Sequence, residues 1–192
     1  LLSRYDGDLK EGVVELVDLT NFKVLHTWNP DIDAFNNMIY KVDEFKYLDR
    51  DDNNSRKTLM HPKLTNDGGL IFGWNSPLRK IDACSKIIFH NTADIFHHSI
   101  ETDNSGNIWA ASHMYPQTLS SDKVGRDVLG DAGFLDDAIV KLNPSGEILY
   151  EKSLSQVFLE NDMEYLLFLG GGLTFNRDPI HLNDIQPVNN DS

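Results

Sequence analysis

The side chains of this sequence best suited to chemistry are its histidines: His26, His61, His90, His97, His98, His113 and His181. Imidazole can attack as a nucleophile, take a proton, donate to an anion or ligate a metal, and it changes charge near neutral pH. His61, His98 and His181 each stand at or near the start of a short strand-like segment that recurs along the chain. If the repeats are blades of a propeller, whose inner strands line one central channel, equivalent positions converge on one axis although they are far apart in sequence. A shared histidine-lined site is therefore one reading. The other is that each histidine packs and hydrogen-bonds at a strand start, which for any single one is the simpler account. His26, just ahead of Trp28, reads as structural. His90 reads as the end of a strand, and His113 as the residue beyond the strand Ile108 to Ala111, near a channel mouth. No His-x-x-x-His pair occurs and the carboxylates are scattered, so no metal and no other cofactor is expected. Cys84 is the single cysteine, which excludes an internal disulfide framework and a multi-cysteine metal cluster. Flanked by strand-like residues, it is expected in the core.

Two patterns must position these residues. The first is a short strand, an Asx/Gly turn and another strand, as in 61–72 and again in 98–109. Asn, Asp and Gly there supply the backbone conformations a tight hairpin needs. The second is a pair of alternating strands around a polar turn, as in 13–28, 78–89 and, most cleanly, 138–150. One pattern follows the other, and together they make four short strands, the content of a propeller blade of about 40–50 residues. The expected fold class is therefore all-β: a β-propeller fragment of about three to four blades. Blades begin near His61 and His98, with a partial blade around 12–48. An ordinary β-sandwich is the competing fold. Residues 113–136 carry no period and read as a long insertion, of the kind that is often functional. A short helical insertion is expected near 154–163, capped by Ser153 or Ser155, with Val157, Phe158 and Met163 facing inward and Gly170 to Gly172 ending it. The final Asn189-Asn190-Asp191-Ser192 matches Asp103-Asn104-Ser105, which precede Gly106 and a strand. The chain is thus expected to be one partial domain, 1–192, that stops inside a blade.

Composition narrows the partners. With 192 residues, 40% of them hydrophobic, the chain can bury one sizeable core. No apolar run approaches the roughly 20 residues of a membrane span. The chain opens Leu-Leu-Ser-Arg-Tyr, without Met or a visible signal peptide. A net charge of -13 argues against a nucleic-acid partner. An anionic ligand would need a pocket made locally positive by Arg, His or backbone N–H groups.

The segment Asp178-Pro-Ile-His-Leu-Asn-Asp-Ile-Gln-Pro-Val188 resembles the Asp-x-x-His-x-Asn-[Ser/Asp]-[Ile/Val] motif of the bacterial arylsulfotransferases (arylsulfate sulfotransferases). His97-His98-Ser99-Ile100-Glu101 with Gly106-Asn107-Ile108-Trp109 is similar to that family's His-His-Asp-[Phe/Ile]-Glu…Gly-Asn-[Leu/Ile] blade start, Ser99 standing where the family usually has Asp. Val14 to Asp18 with Val24 to Trp28 resembles its early His-x-Trp blade. The resemblance covers most of the chain. It implies a six-bladed, periplasmic or otherwise extracytoplasmic propeller that moves a sulfuryl group from an aryl sulfate donor to a phenolic acceptor through a sulfohistidine. It marks His98 and His181 as donors to the sulfate. His97, His61 and Asn183 complete the candidate substrate-binding set, with Arg126 and Arg177 as local alternatives. The family's sulfate-binding arginine and nucleophilic histidine are expected beyond Ser192, so no catalytic nucleophile is assigned within the chain. A homodimer stays open, as do two other functions for such a fold: a non-catalytic propeller binding a partner or glycan, and a metal-dependent propeller hydrolase.

Overall fold

One turn recurs in four places. It starts at Thr65, Asp82, Asp103 or Asn143. In each copy the N–H of that residue donates to the carbonyl four residues on, and the N–H three residues on donates back, at 2.8–3.0 Å. The fourth residue must take positive φ: Gly68 (80°), Ser85 (62°), Gly106 (77°) and Gly146 (85°). Glycine does so without steric penalty, whereas Ser85 accepts about 1–2 kcal/mol of strain. The Oδ1 atoms of Asp82, Asp103 and Asn143 each accept the backbone N–H groups two and four residues on. A short polar side chain that mimics the backbone acceptor is what makes Asx residues open such turns.

The computed structural model describes residues 1–39, 45, 48–119, 134–168 and 178–188. Most of 113–136, Gly170 to Gly172, Arg126, Arg177 and 189–192 lie outside the described residues. The chain is all-β with few helices, its strands arranged as two antiparallel sheets of three and seven strands. It divides into two compact units, Leu1–Thr92 and Ala93–Ser192.

In the first unit, β1 (Leu2–Asp6), β2 (Glu11–Val17) and β3 (Val24–Trp28) form the three-stranded meander. Past Trp28 the expected partial blade gives way to helix. Asp31 caps α1 (Ile32–Asn37) by accepting from Ala34 N, and α2 (Leu48–Asp51) follows. Then β4 (Lys63–Leu64), β5 (Leu70–Phe72) and β6 (Ser76–Ile81) pair in order. Val14, Trp28, Ile32, Phe35, Leu59, Leu70, Phe72 and Ile81 make one core cluster. Each such side chain stabilises by about 1.5–3 kcal/mol on burial. The Trp28 indole keeps its hydrogen bond inside the fold, to the Gly68 carbonyl at 3.1 Å. His26 is structural, as expected: its Nε2 lies 2.8 Å from the Ala83 carbonyl and its ring meets Trp28 edge-on.

Two expectations fail here. Cys84 is exposed rather than buried, because it is the third residue of the Asp82 turn and its N–H is held by Asp82 Oδ1 at 2.8 Å. His90 does not end a strand. Residues Ile87–Thr102 run as one strand of 16 residues, β7, which crosses the boundary between the units. No Gly or Pro interrupts that stretch, so nothing in it enforces a chain reversal.

In the second unit, β7, β8 (Ile108–His113), β9 (Asp137–Leu142) and β10 (Ile148–Ser153) are sequential antiparallel neighbours. The expected helix is present as α3 (Leu154–Glu160), and a 3-10 turn (Glu164–Phe168) follows. Ser153 is its cap, accepting from Gln156 N at 3.1 Å. Phe158 and Leu159 of α3 pack on Leu119, Phe134 and Leu167. Met163, expected to face inward, is exposed, because the helix has ended before it.

Candidate functional site

Antiparallel register puts three ionisable side chains on one face of β7, β8 and β9. Asp137 pairs directly with His113, and His113 pairs with Ile95. His97, two residues beyond Ile95, is the diagonal neighbour on the same face. His97 is 3% exposed and Asp137 fully buried. Nε2 of His97 and Nε2 of His113 stand 3.1 and 3.2 Å from the same oxygen, Asp137 Oδ1. The two imidazoles stack, with centroids 4.0 Å apart. Oδ2 accepts the Leu182 N–H at 2.9 Å. Burial pushes the Asp137 carboxyl up, but the His113 and His97 imidazoles and the Leu182 amide outweigh it and hold the group well below the usual carboxylate range.

A register shift between His97 and Ile100 breaks the β7–β8 pairing, and His98 within it has φ of 55°. Successive strand residues ordinarily face opposite ways. The shift overrides that expectation for His97 and His98, whose ring centroids are 5.1 Å apart. His98 in turn meets His181 edge-to-face at 5.2 Å. His113, His97, His98 and His181 therefore form a continuous row of rings.

The His181 segment is held to this row by its own motif. Asp178 Oδ1 accepts His181 N–H at 3.1 Å, and Oδ2 lies 2.5 Å from His181 Nδ1. The Asp178 hydrogen bond and charge raise the His181 pKa above its ordinary value. Asn183 Nδ2 donates to the His181 carbonyl at 2.8 Å, so its side chain shapes the turn. Ser99 N–H donates to the Asn183 carbonyl at 3.3 Å and its hydroxyl to Asp184 Oδ1 at 2.6 Å. These two contacts tie Ser99 of β7 to the segment that follows His181.

Of the expected substrate-binding set, His97, His98, His181 and Asn183 come together in the second unit. His61 belongs to the first, exposed, with its ring 6.1 Å from Trp74. Yet His61, His98 and His181 share one unusual backbone state, with φ of 49°, 55° and 51°. Non-glycine residues in this region are uncommon and concentrate where structure over-determines them. Lys10, Phe22, Asn75, Ser85 and Asp162 adopt the same region, so this state alone does not make the three histidines equivalent. His97 is the most deeply buried of the five.

Asp137 was missed by sequence reasoning, and His113 was given no partner. Their signal is cross-strand pairing, which the long 113–136 stretch hides from any fixed spacing. His97, His113 and Asp137 each offer one ligand atom, all within 4.8 Å of one another, a donor set that could hold a metal ion. Beside them lies a second acidic group. Asp94 accepts Ser112 Oγ at 2.9 Å, Asp136 accepts Ser153 Oγ at 2.7 Å, and a hydrogen bond with Asp94, burial and the two carboxylates' charge push Glu151 up to about 8. A cleft of about 700 Å³ lined by Trp109, Ile139, Lys141, Ile185, Pro187 and neighbours shares no residue with the histidine row. Its cation, Lys141, is 3.2 Å from Asp103 and lies over the Trp109 ring. Asp103 itself is filled by donors from Asn107, Trp109 and Lys141, which suits a turn anchor. Among the described residues no helix is long and apolar enough to cross a membrane.

Comparison with known proteins bears on the second unit and on the last part of the first. The sequence model of the arylsulfotransferase (ASST) family matches residues 61–192, more than half of the chain, and spans the whole histidine row. Neither a curated protein nor a solved structure matches the chain.

Proposed function

Because this chain belongs to the arylsulfotransferase family, we propose that its parent protein transfers a sulfuryl group from an aryl sulfate ester to a phenolic acceptor, with His98 and His181 holding the sulfuryl oxygens. The observation that carries this reading is the meeting of these two imidazoles, 83 positions apart in sequence, at 5.2 Å, with Asp178 behind His181. An Asp178 carboxylate on Nδ1 keeps His181 charged to higher pH and leaves Nε2–H as the donor. Fixed cationic donors of this kind stabilise charge that builds on the oxygens in the transition state.

In this reading the attacking imidazole comes from another part of the parent protein. Its nitrogen bonds to sulfur as the S–O(aryl) bond breaks, and the phenolate leaves with the electron pair. The acceptor phenol, losing its proton to a base, then attacks sulfur, and the N–S bond breaks. We further propose that the repeated four-strand sets are blades of a propeller and that the protein works outside the cytoplasm, as the family resemblance implies. A metal-dependent hydrolase is the second reading, favoured by one observation, the His97–His113–Asp137 donor set.

The test is turnover of a nitrophenyl sulfate by the parent protein with a phenol present, with the acceptor product identified by mass. Transfer predicts the acceptor's sulfate ester and a rate that depends on acceptor concentration. Release of inorganic sulfate alone would favour the hydrolase and overturn this proposal. His98→Asn or His181→Asn should lower kcat/KM by about 10²-fold, the usual consequence of losing one oxyanion donor.

A further inference from the structure

We infer that His97, His113 and Asp137 bind one divalent first-row transition ion, zinc foremost, beside the row of histidines. The inference holds whether the reaction is transfer or hydrolysis. Two imidazoles and a carboxylate are the ligand types such ions prefer, and they exclude calcium and magnesium, which take oxygen donors. Metal–ligand bonds of about 2.0–2.2 Å meeting at about 90–110° separate neighbouring ligand atoms by about 3.0–3.5 Å. The observed separations of 3.1 and 3.2 Å between each Nε2 and Oδ1 fall in that range.

Burial supplies a second, independent argument. The side chains of His97 and Asp137 are 4% and 0% exposed, and that of His113 is 12% exposed. His97 Nε2 and Asp137 Oδ1 are buried, yet neither makes a hydrogen bond of acceptable geometry. Their contact at 3.1 Å is close but is not an aligned N–H···O bond, so the bonding capacity of these buried atoms is not fully used within the protein. An ion between them and His113 Nε2 would satisfy all three atoms at once. The other carboxylate oxygen is already fixed by the Leu182 N–H at 2.9 Å, the outer hydrogen bond that orients ligating carboxylates.

The ligands come from three neighbouring strands, and the Leu182 amide adjoins His181. The ion would therefore fasten β7, β8 and β9 to the segment that carries His181 and set the geometry of the His98–His181 pair. Three protein ligands leave at least one coordination position for water or an anion.

The full chain, stripped with a chelator and titrated with Co2+ and Zn2+, tests this directly. The proposal expects one equivalent of Co2+ with a visible ligand-field spectrum, displaced by Zn2+, and a rise in Tm on adding Zn2+. His113→Gln should weaken binding at least about ten-fold, while His181→Asn leaves it unchanged. Should His113→Gln fail to fold, the wild-type chain decides. Bound Co2+ should produce hyperfine-shifted ring resonances from two imidazoles, and a fully occupied site should lose them with zinc. Absence of stoichiometric binding, equal binding by wild type and His113→Gln, or binding lost in His181→Asn instead would overturn the proposal.

Discussion

Each unit buries ionisable groups, but of different kinds. In the first, Arg79 is fully buried, with Nη2 donating to Asn36 Oδ1 at 2.6 Å and Nη1 to Asp52 Oδ2 at 3.4 Å. Lys57 Nζ sits 2.7 Å from Asp52 Oδ1 and donates to the Trp74 carbonyl at 3.0 Å. Burial lowers the pKa of both cations, and the Asp52 carboxylate opposes it. In the second unit the buried carboxylate of Asp137 faces two imidazoles, those of His97 and His113. The first arrangement keeps its charge and needs its carboxylate permanently. The second sets its carboxylate against side chains that are not permanent cations. A buried site able to do chemistry is expected to be of the second kind.

The largest effect that would break this contrast is the loss of Asp52. Asp52→Ala strands two cations and should destabilise the chain by about 3–5 kcal/mol in chemical denaturation. Asp137→Asn, measured in the same way without metal, should cost only about 1–3 kcal/mol, because it leaves no permanent cation unpaired. Equal costs would erase the distinction.

Acid–base behaviour sharpens it further. Glu151, raised from 4.5 to about 8, holds a proton in the folded chain that the unfolded chain has already released. Stability should therefore fall as pH rises from about 4.5 to 8. Glu151→Gln should flatten that slope, by about 1–2 kcal/mol because the group is partly solvated.

The smallest effect is at His181, which Asp178 raises above 6.5. A raised imidazole adds stability below the unfolded value and loses it as pH climbs through the folded one. Asp178→Asn should move the His181 midpoint, followed by NMR, downward toward 6.5, with little change in Tm. The alkaline limb of any His181-dependent activity should move with it. An unmoved midpoint would detach Asp178 from the site.

What could be read in the sequence is what is local. The turns at Asp103 and Asn143 announce themselves, because Asx and Gly fall where acceptor and positive φ are needed. The strands beside them follow from alternation, and the Ser153 cap from its hydroxyl. Cys84 misled because its flanking residues look strand-like while Ser85 occupies the position a glycine marks elsewhere. The merging of two expected strands into β7 could not be read, since no single residue encodes the absence of a turn. The His97–His113–Asp137 group was hidden for a different reason. Its members meet through the pairing of three strands, which no local pattern reveals.

The left-handed backbone at His61, His98 and His181 has a bearing on descent. A fold built by copying one unit hands down the twist of each chain segment as well as its side chains. That twist is uncommon outside glycine and enriched in Asn, Asp and His, although Lys10, Phe22 and Ser85 adopt it here as well. A copy can therefore lose its ligand and still keep its histidine, because replacement by most residues would penalise the chain path itself. His61 beside Trp74 would fit a copy of that kind, held by conformation alone, whereas the proposed function gives His98 and His181 a second reason to stay. An alanine scan of the three would mix both debts, whereas asparagine, which tolerates the same twist, would expose chemistry alone.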